Sequence, residues 1–449
     1  MRTFAAFFAV TSMAFAAPAG AATLATGPLP GSVGFRVQME NTHILSGQPV
    51  VHALATLEAP KTFRGRDRAV NLSLVIDRSG SMLGQSIVDA RDAAMQMVDR
   101  LRDGDRVSIV SYADDVRVDV PSLVVDSRSR ERVKDAIRKI GPNGWTNLSG
   151  GLVAGQAEVR AHLDSDKVNR VILISDGLAN RGVTAQPALN RIAREALQEG
   201  IVTTTLGLGA NYNEDLMTAV ADNGGGNYYF VQESKEIAGV LAGEVAQMMA
   251  TVARQVAMEL TLPAGVSVDE VFGYAWQQEG PTVIVRLGDL YAGQRRAVLL
   301  RLRVTDRSGT IALGALGVRY QDLAADGARR SASENLSVTV TGDHAMVERS
   351  RDKDVEARIA EIELATSMQK AAALVQEGRY DDARRELQQA TEKAKSKGDS
   401  LGAAGRGLSQ SAGEASDMAD QLAAPPASAE EQKVMTKSYK AGAYKVQKK

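Results

Sequence analysis

Five side chains that carry oxygen donors, spread over three short segments, form the pattern in this sequence that is best suited to chemistry. Carboxylate and hydroxyl oxygens are hard donors, which suit Mg²⁺ or Mn²⁺, and also Ca²⁺, better than a soft metal. Two carboxylates roughly neutralise a divalent cation, while hydroxyls fill further coordination positions without adding charge. The pattern therefore predicts a divalent-cation site, with Mg²⁺ as the first choice. Its residues are Asp77, Ser79 and Ser81 in DRSGSM, Thr146 in WTNLSGGL, and Asp176 in ISDG.

The three segments lie where strands of a parallel sheet and their following loops are expected. NLSLVID ends at Asp77 and VILIS ends one residue before Asp176, so both carboxylates follow apolar runs. In open α/β sheets, ligands bind at the carboxyl ends of the strands. Apolar runs alternate with amphipathic helical patterns over residues 70–250, which predicts a doubly wound (Rossmann-like) α/β domain. The predicted strands are 70–77, 106–112, 116–125, 170–175, 201–208 and 227–232.

These segments resemble the von Willebrand factor type A family and its metal-ion-dependent adhesion site. That family has a DxSxS loop after its first strand, a Thr in a later loop and an Asp after its fourth strand, and this chain matches all five positions in order. DRSGSM, TNLSGGL and ISDGLANRG are most similar to exported bacterial members, which are related to calcium-activated chloride channel and inter-alpha-trypsin inhibitor heavy-chain proteins. The resemblance covers about residues 70–250. It implies a bound divalent cation whose open coordination position takes an Asp or Glu carboxylate from another protein.

The resemblance favours a non-enzymatic binding protein that acts in adhesion or in the assembly of an envelope complex. The alternative is a structural envelope scaffold in which the metal only stabilises the loops. Each of the five residues could also cap a helix or loop, but their joint occurrence favours a metal site. GxSxG, HExxH and GxxxxGK[ST] motifs are missing, there is no cysteine nucleophile, and the four histidines are scattered. A net charge of -1 gives no reason to expect a nucleic-acid partner.

Trp145 is a departure from many relatives, which have a small residue immediately before the Thr. It follows the turn Pro142-Asn143-Gly144. The ring either packs on the edge of the domain or is exposed and contacts a partner. Trp145 is therefore a candidate partner-binding residue, and the partner of a relative cannot be transferred to this chain.

The segments on either side of the α/β domain have different sequence patterns. Residues 22–69 contain two strand patterns, and residues 251–343 predict a β-sandwich-like domain that the earlier strands could complete, with the α/β domain inserted. Residues 344–398 predict a helical hairpin whose second half, GRYDDARRELQQA, resembles half of a tetratricopeptide repeat. Residues 399–449 are rich in Gly, Ala, Ser and Pro and end in lysines, which predicts a disordered tail, either solvated or touching anionic lipid.

The first residues, MRTFAAFFAVTSMAFAAPAGAA, combine a cation, an apolar stretch and small residues. This pattern predicts a cleavable signal peptide over residues 1–21, with a mature protein that begins near Ala22. The apolar run is too short to span a bilayer, and no transmembrane segment is predicted. A chain with no cysteine forms no disulfides. Together these features favour export to a bacterial periplasm or secretion.

Overall fold

The described part of the chain begins with short strands that precede the α/β region. They are β1 (Gly34–Met39), β2 (His43–Leu45) and β3 (Val50–Glu58). The computed structural model describes residues 33–62, 68–305 and 308–448, and the signal peptide predicted at residues 1–21 lies outside them. β1 and β3 are antiparallel neighbours, with Gly34 opposite Glu58.

A six-stranded sheet covered by helices on both faces forms the next region. Its strands are β4 (Val70–Asp77), β5 (Arg106–Tyr112), β6 (Val116–Val124), β7 (Val168–Ser175), β8 (Ile201–Leu208) and β9 (Gly225–Val231). Its helices are α1 (Gln85–Arg100), α2 (Ser127–Arg138), α3 (Leu148–Arg160), α4 (Gln186–Glu199), α5 (Glu214–Asn223) and α6 (Ile237–Met249). The strand order is β6-β5-β4-β7-β8-β9, and only β6 is antiparallel to its neighbour. The predicted doubly wound, Rossmann-like α/β fold is confirmed.

Burial on both faces explains the composition of the central strands. Every residue of β4, β7 and β8 is buried, so these strands are largely apolar along their whole length. Helices α1, α2 and α6 cover one face of the sheet, and α3, α4 and α5 cover the other. Glycines bring α3 unusually close to the sheet: a Cβ at Gly155 would lie 2.4 Å from Val75, and one at Gly151 would lie 2.5 Å from Tyr112. This close packing determines how far the loop that precedes α3 lies from the sheet.

The strands after the α/β domain complete a two-sheet sandwich. They are β10 (Thr251–Thr261), β11 (Val266–Val271), β12 (Trp276–Glu279), β13 (Thr282–Tyr291), β14 (Arg295–Val304), β15 (Thr310–Asp322) and β16 (Ala328–Thr341). The sheets have the orders β1-β3-β14-β11 and β12-β13-β10-β15-β16-β2. β3 lies between β1 and β14, and Glu58 opposes both Gly34 and Arg295. The strands before Val70 therefore belong to the sandwich, and the α/β domain is an insertion between β3 and β10.

A buried ionic cluster joins the inserted domain to the sandwich. Arg170 of β7 donates to Glu244 of α6 at 2.9 Å, to Asp289 of β13 at 3.3 Å and to the hydroxyl of Tyr291 at 3.1 Å. The side chains of Arg170 and Glu244 are completely inaccessible to solvent. A buried charge is tolerated only when it is paired and hydrogen-bonded, so these contacts fix the two domains against each other.

Five helices follow the sandwich in the described part of the chain. They are α7 (His344–Arg349), α8 (Lys353–Gln376), α9 (Tyr380–Leu401), α10 (Arg406–Gln421) and α11 (Ala429–Lys448). The hairpin predicted over 344–398 corresponds to α8 and α9, but it is part of a larger packed group. None of the described helices has both the length and the apolar character that crossing a bilayer requires.

The prediction of a disordered tail over residues 399–449 is wrong, because this segment contains α10 and α11. Its small residues suggested disorder, yet those of α10 repeat at helical spacing and pack against α8 and α9. Gly398 and Gly405 also let the chain turn tightly between α9 and α10, since a Cβ at Gly405 would lie 2.1 Å from the Gly398 carbonyl oxygen. The buried residues of α10 are Leu408, Ser411, Ala412, Ala415 and Ala419.

Four of the five lysines of α11 have partners in the α/β domain, and the fifth, Lys445, pairs with Glu414 of α10. Lys437 is buried, where it donates to the Tyr212 carbonyl oxygen at 2.7 Å and pairs with Glu214. Lys440 pairs with the other oxygen of Glu214 at 2.7 Å, and Lys448 pairs with Asp222 at 2.8 Å. Burial raises the pKa of Glu214, but hydrogen bonds from the two lysines outweigh it and lower the pKa to about 2. The tail helix is therefore docked on the α/β domain.

Replacing Lys437 by Met should weaken this docking, because it leaves the partly buried Glu214 with one lysine and the Tyr212 carbonyl without its donor. We expect the free energy of unfolding to fall by about 1–3 kcal/mol. Urea unfolding and hydrogen exchange of the α11 amides would measure it. Lys445→Met is the matched control, because that side chain is 68% exposed, and it should change stability by less than about 0.5 kcal/mol. Equal losses in the two variants would contradict the docking described here.

Candidate metal centre

Three loops at the carboxyl edge of the α/β sheet carry the five predicted ligands. Asp77 is the last residue of β4, and Ser79 and Ser81 lie in the loop that leads to α1. Thr146 lies just before α3, and Asp176 directly follows β7. Because β4 and β7 are parallel neighbours, both carboxylates emerge at the same edge.

The first and third loops are joined by hydrogen bonds between predicted ligands. The Ser79 and Ser81 hydroxyl oxygens are 3.0 Å apart, and the Ser81 hydroxyl donates to Oδ1 of Asp176 at 2.6 Å. Oδ1 of Asp77 accepts from the backbone N–H of Ser79 at 2.8 Å. Oδ2 of Asp77 accepts from the hydroxyl of Ser175 at 2.8 Å. The two carboxylates are thus connected through the serines of the DxSxS loop.

The surroundings of Gly177 show that the Thr146 hydroxyl lies close to those of Ser79 and Ser81. A Cβ at this glycine would lie 3.2 Å from the hydroxyl oxygens of both Ser81 and Thr146, and 3.9 Å from that of Ser79. Three hydroxyls from two loops therefore surround one backbone position next to Asp176. The structure brings all five predicted residues together, and a side chain at Gly177 would crowd the space between the hydroxyls.

Burial of the two carboxylates creates an unfavourable concentration of negative charge. Burial raises the pKa of Asp77, although hydrogen bonds from Ser79 and Ser175 act in the opposite direction. Burial and the charge of Asp77 raise the pKa of Asp176 to about 7, against a hydrogen bond from Ser81. The neighbouring cation Arg78 pairs instead with Asp115. A divalent cation held by these oxygens would relieve the repulsion, so the donor set fits a hard metal ion.

Backbone and side-chain hydrogen bonds hold the three loops against one another. The N–H of Gly80 donates to the Gly144 carbonyl oxygen at 2.9 Å, which joins the first loop to the second. The N–H of Thr146 donates to Oδ1 of Asn180 at 2.8 Å, and the N–H of Asn180 donates back to the Thr146 carbonyl oxygen at 3.1 Å. Ser175 and Asn180 were not among the residues predicted from the sequence. Only their positions next to Asp176, in ISDGLANRG, could have indicated these supporting roles.

Trp145 lies on the surface beside this site, with 56% of the residue exposed. Its ring stacks with the guanidinium of Arg181, whose carbon is 5.2 Å from the ring centroid. The backbone N–H of Trp145 donates to Oδ2 of Asp114 at 3.1 Å, and Oδ1 of Asp114 lies 3.5 Å from Nε of Arg181. The ring is therefore exposed and also held in place.

The histidines lie on separate elements, as their sequence positions suggested. His43 and His52 belong to β2 and β3, His162 follows α3, and His344 begins α7. Across residues 33–62, 68–305 and 308–448, no group of three or more His, Asp or Glu side chains is arranged to hold a metal ion. The candidate centre differs from such clusters because hydroxyls supply three of its five donors.

Comparison with known proteins supports the interpretation of the α/β region. The family profile for the von Willebrand factor type A domain matches residues 71–242. The uncharacterized protein YfbK of Escherichia coli (strain K12) is 30% identical over 250 residues, which are 54% of this chain and 43% of the relative. Inter-alpha-trypsin inhibitor heavy chain H2 of Mus musculus is 29% identical over 164 residues, which are 35% of this chain and 17% of the relative. The chain thus spans less than half the length of either relative.

A solved structure shares most of the architecture as well. The von Willebrand factor type A protein from Catenulispora acidiphila superimposes with a TM-score of 0.68 at 20% identity. The match covers 86% of this chain and 88% of that one, so it includes regions outside the α/β domain. At this level of identity the likeness concerns the fold alone. Together with the family profile, it shows that the α/β region of this chain is a von Willebrand factor type A domain.

Proposed function

We propose that this chain binds another protein in a divalent-cation-dependent manner, and that an Asp or Glu carboxylate of the partner completes the coordination of the ion. Domains of this family typically mediate metal-dependent protein–protein interactions and are generally not enzymes. The observation that carries the proposal is the gathering of three hydroxyls around Gly177, next to the buried Asp176, at the edge of the sheet where Asp77 also lies. The proposed role is adhesion or the assembly of an envelope complex.

The residues of the site have separate tasks in this proposal. Asp77 and Asp176 supply the negative charge that holds a divalent ion, with Mg²⁺ as the first choice and Mn²⁺ or Ca²⁺ as alternatives. Ser79, Ser81 and Thr146 supply neutral oxygens, so the occupied site keeps little net charge of its own. When bound, the ion supplies an electrophilic position for an incoming carboxylate. Hydrogen bonds between the loops keep the donors in place, which lowers the ordering cost of binding.

A binding role fits the surroundings of the hydroxyls better than nucleophilic catalysis. A serine nucleophile needs a general base within hydrogen-bond reach. The Ser79 hydroxyl contacts that of Ser81, which donates to Asp176, and Asp176 is itself one of the two carboxylates proposed to hold the ion. The histidines lie on other elements. Asp77 accepts hydrogen bonds through both oxygens, from Ser79 and Ser175, and is fully buried. We therefore assign no reaction to these residues.

We further propose that the protein is exported to the periplasm or the medium, because residues 1–21 have the pattern of a cleavable signal peptide. Mass spectrometry of the protein purified from its source should give a mature chain that begins near Ala22. Recovery of the chain with Met1 intact would contradict export by this signal.

Asp176→Asn should raise the stability of the metal-free protein and abolish its stabilisation by Mg²⁺. Above pH 7 the Asp176 carboxylate is ionised despite its raised pKa, so its removal relieves repulsion with Asp77 in the metal-free protein. We expect the metal-free variant to be more stable than the wild type by about 1 kcal/mol or more. Added Mg²⁺ should raise the Tm of the wild type but not that of the variant. Thermal unfolding in EDTA and in Mg²⁺ measures both effects.

Asp135→Asn is the matched control for this experiment, because its side chain is 63% exposed on α2. It should change neither the stability of the metal-free protein nor the response to Mg²⁺. If Mg²⁺ stabilised the Asp176→Asn variant as much as the wild type, Asp176 would not be a metal ligand.

Ser79→Ala tests whether metal binding and partner binding are linked, because it removes one neutral donor and leaves both carboxylates. We expect Mg²⁺ affinity, measured by calorimetry, to fall roughly tenfold or more. Capture of partners by the mature protein from its own envelope should fall with it and should also fail in EDTA. Ser108→Ala, at a buried serine of β5, is the control that should leave both unchanged. Normal capture by a variant that no longer binds metal would favour the scaffold role, in which the ion only stabilises the loops.

A further inference from the structure

Exposed apolar side chains surround the candidate metal centre. Nine large hydrophobic residues are prominently exposed in the described part of the chain, and four of them belong to the three metal-site loops. We call these four the apolar rim. They are Leu83 (74% exposed), Trp145 (56%), Leu178 (58%) and Val183 (43%). Isolated exposed hydrophobics are ordinary, but a group on the loops of one site is typical of an interaction surface.

Each loop of the site presents a metal-ligand candidate and an apolar residue close together in the chain. Leu83 follows Ser81 by two residues, Trp145 immediately precedes Thr146, and Leu178 follows Asp176 by two residues. The loops are hydrogen-bonded to one another, so these residues project from a single edge of the domain. Any partner carboxylate that reaches the five donors must therefore bring its neighbouring side chains against the apolar rim.

The aromatic member of the rim is already held in position. Arg181 stacks on the Trp145 ring, and Asp114 accepts from the Trp145 backbone N–H and pairs with the Arg181 guanidinium. Tryptophan and arginine are the residues most enriched at energetically dominant positions of protein interfaces. Because the ring is held before binding, little conformational entropy is lost when a partner packs on it.

The charges around the rim determine which flanking residues a partner can carry. Asp114 lies 3.5 Å from Nε of Arg181, so the charge of this arginine is already partly balanced. Further carboxylates on the partner would be placed against leucine, valine and tryptophan side chains. Burying a charge against such groups without a counter-ion is costly.

We infer that the partner presents a single Asp or Glu flanked by apolar or aromatic residues, which pack on the apolar rim while the carboxylate reaches the metal centre. This inference rests on the proposed metal-dependent function and adds the chemical class of the partner segment. A strongly acidic segment fits the rim poorly.

Selection of phage-displayed random peptides on the full chain, with Mg²⁺ present and elution by EDTA, tests the inference. The recovered peptides should contain one acidic residue with apolar or aromatic neighbours. Trp145→Ser and Leu178→Ser should each weaken binding of these peptides by about tenfold or more. Both variants should keep the Mg²⁺ affinity of the wild type, measured by calorimetry. Leu163→Ser is the control, since this exposed leucine follows α3, at the opposite edge of the sheet, and its loss should leave peptide binding unchanged.

The outcomes separate this inference from the function on which it rests. Recovery of metal-dependent peptides whose acidic residue lacks apolar neighbours would overturn the inference and leave metal-dependent binding intact. Unchanged peptide affinity in Trp145→Ser and Leu178→Ser would do the same. If no peptide required Mg²⁺, or if Asp77→Asn bound the peptides as the wild type does, the proposed function would fail and the inference with it.

Discussion

The arrangement of the two larger domains depends on the contacts that the buried guanidinium of Arg170 makes. It lies on a central strand of the α/β sheet and meets Glu244 of the last helix of that domain and Asp289 of the sandwich. Glu244 accepts three further hydrogen bonds, from Thr204, Asn227 and Tyr229. Removing one partner from such a cluster leaves a buried charge uncompensated, at a cost on the order of 3–5 kcal/mol. The sheet, the last helix and the sandwich are therefore coupled through one positive charge.

The position of this cluster explains how the metal-site loops remain accessible. Arg254 of β10 donates to the carbonyl oxygens of Ser165, three residues before β7, and of Gly200, directly before β8. Arg170 lies near the start of β7. The sandwich thus contacts the amino edge of the parallel sheet, while the candidate metal centre occupies the carboxyl edge. Because the two edges are separated by the length of the strands, anchoring of the domain and binding of a partner do not compete for surface.

Prediction from the sequence succeeded where the determining interactions are local. Asp77 and Asp176 each follow their own buried strand, so the apolar runs before them were sufficient to predict both the α/β class and the place where the two carboxylates lie. It failed for the tail, because the acidic partner of Lys437 is Glu214, more than two hundred residues earlier in the chain. The supporting contacts from Ser175 and Asn180 were also missed, since a serine at a strand end or an asparagine in a loop gives no signal of the atom that it binds. Local patterns predict elements and ligands, whereas docking between distant segments depends on charges that meet only in the folded chain.

The insertion of the α/β domain between β3 and β10 has a consequence for the order in which the chain folds. β3 pairs with β1 along one edge and with β14 along the other, and its backbone groups are fully hydrogen-bonded only when both strands are present. Until β14 has been synthesised, β3 has a free edge that can pair with another chain. An inserted domain that folds first brings Val70 and Met249, the ends of its own sequence, into one structure and shortens the loop that the sandwich must close. The α/β domain thus also serves as an internal link that shortens the chain separation between β3 and β14.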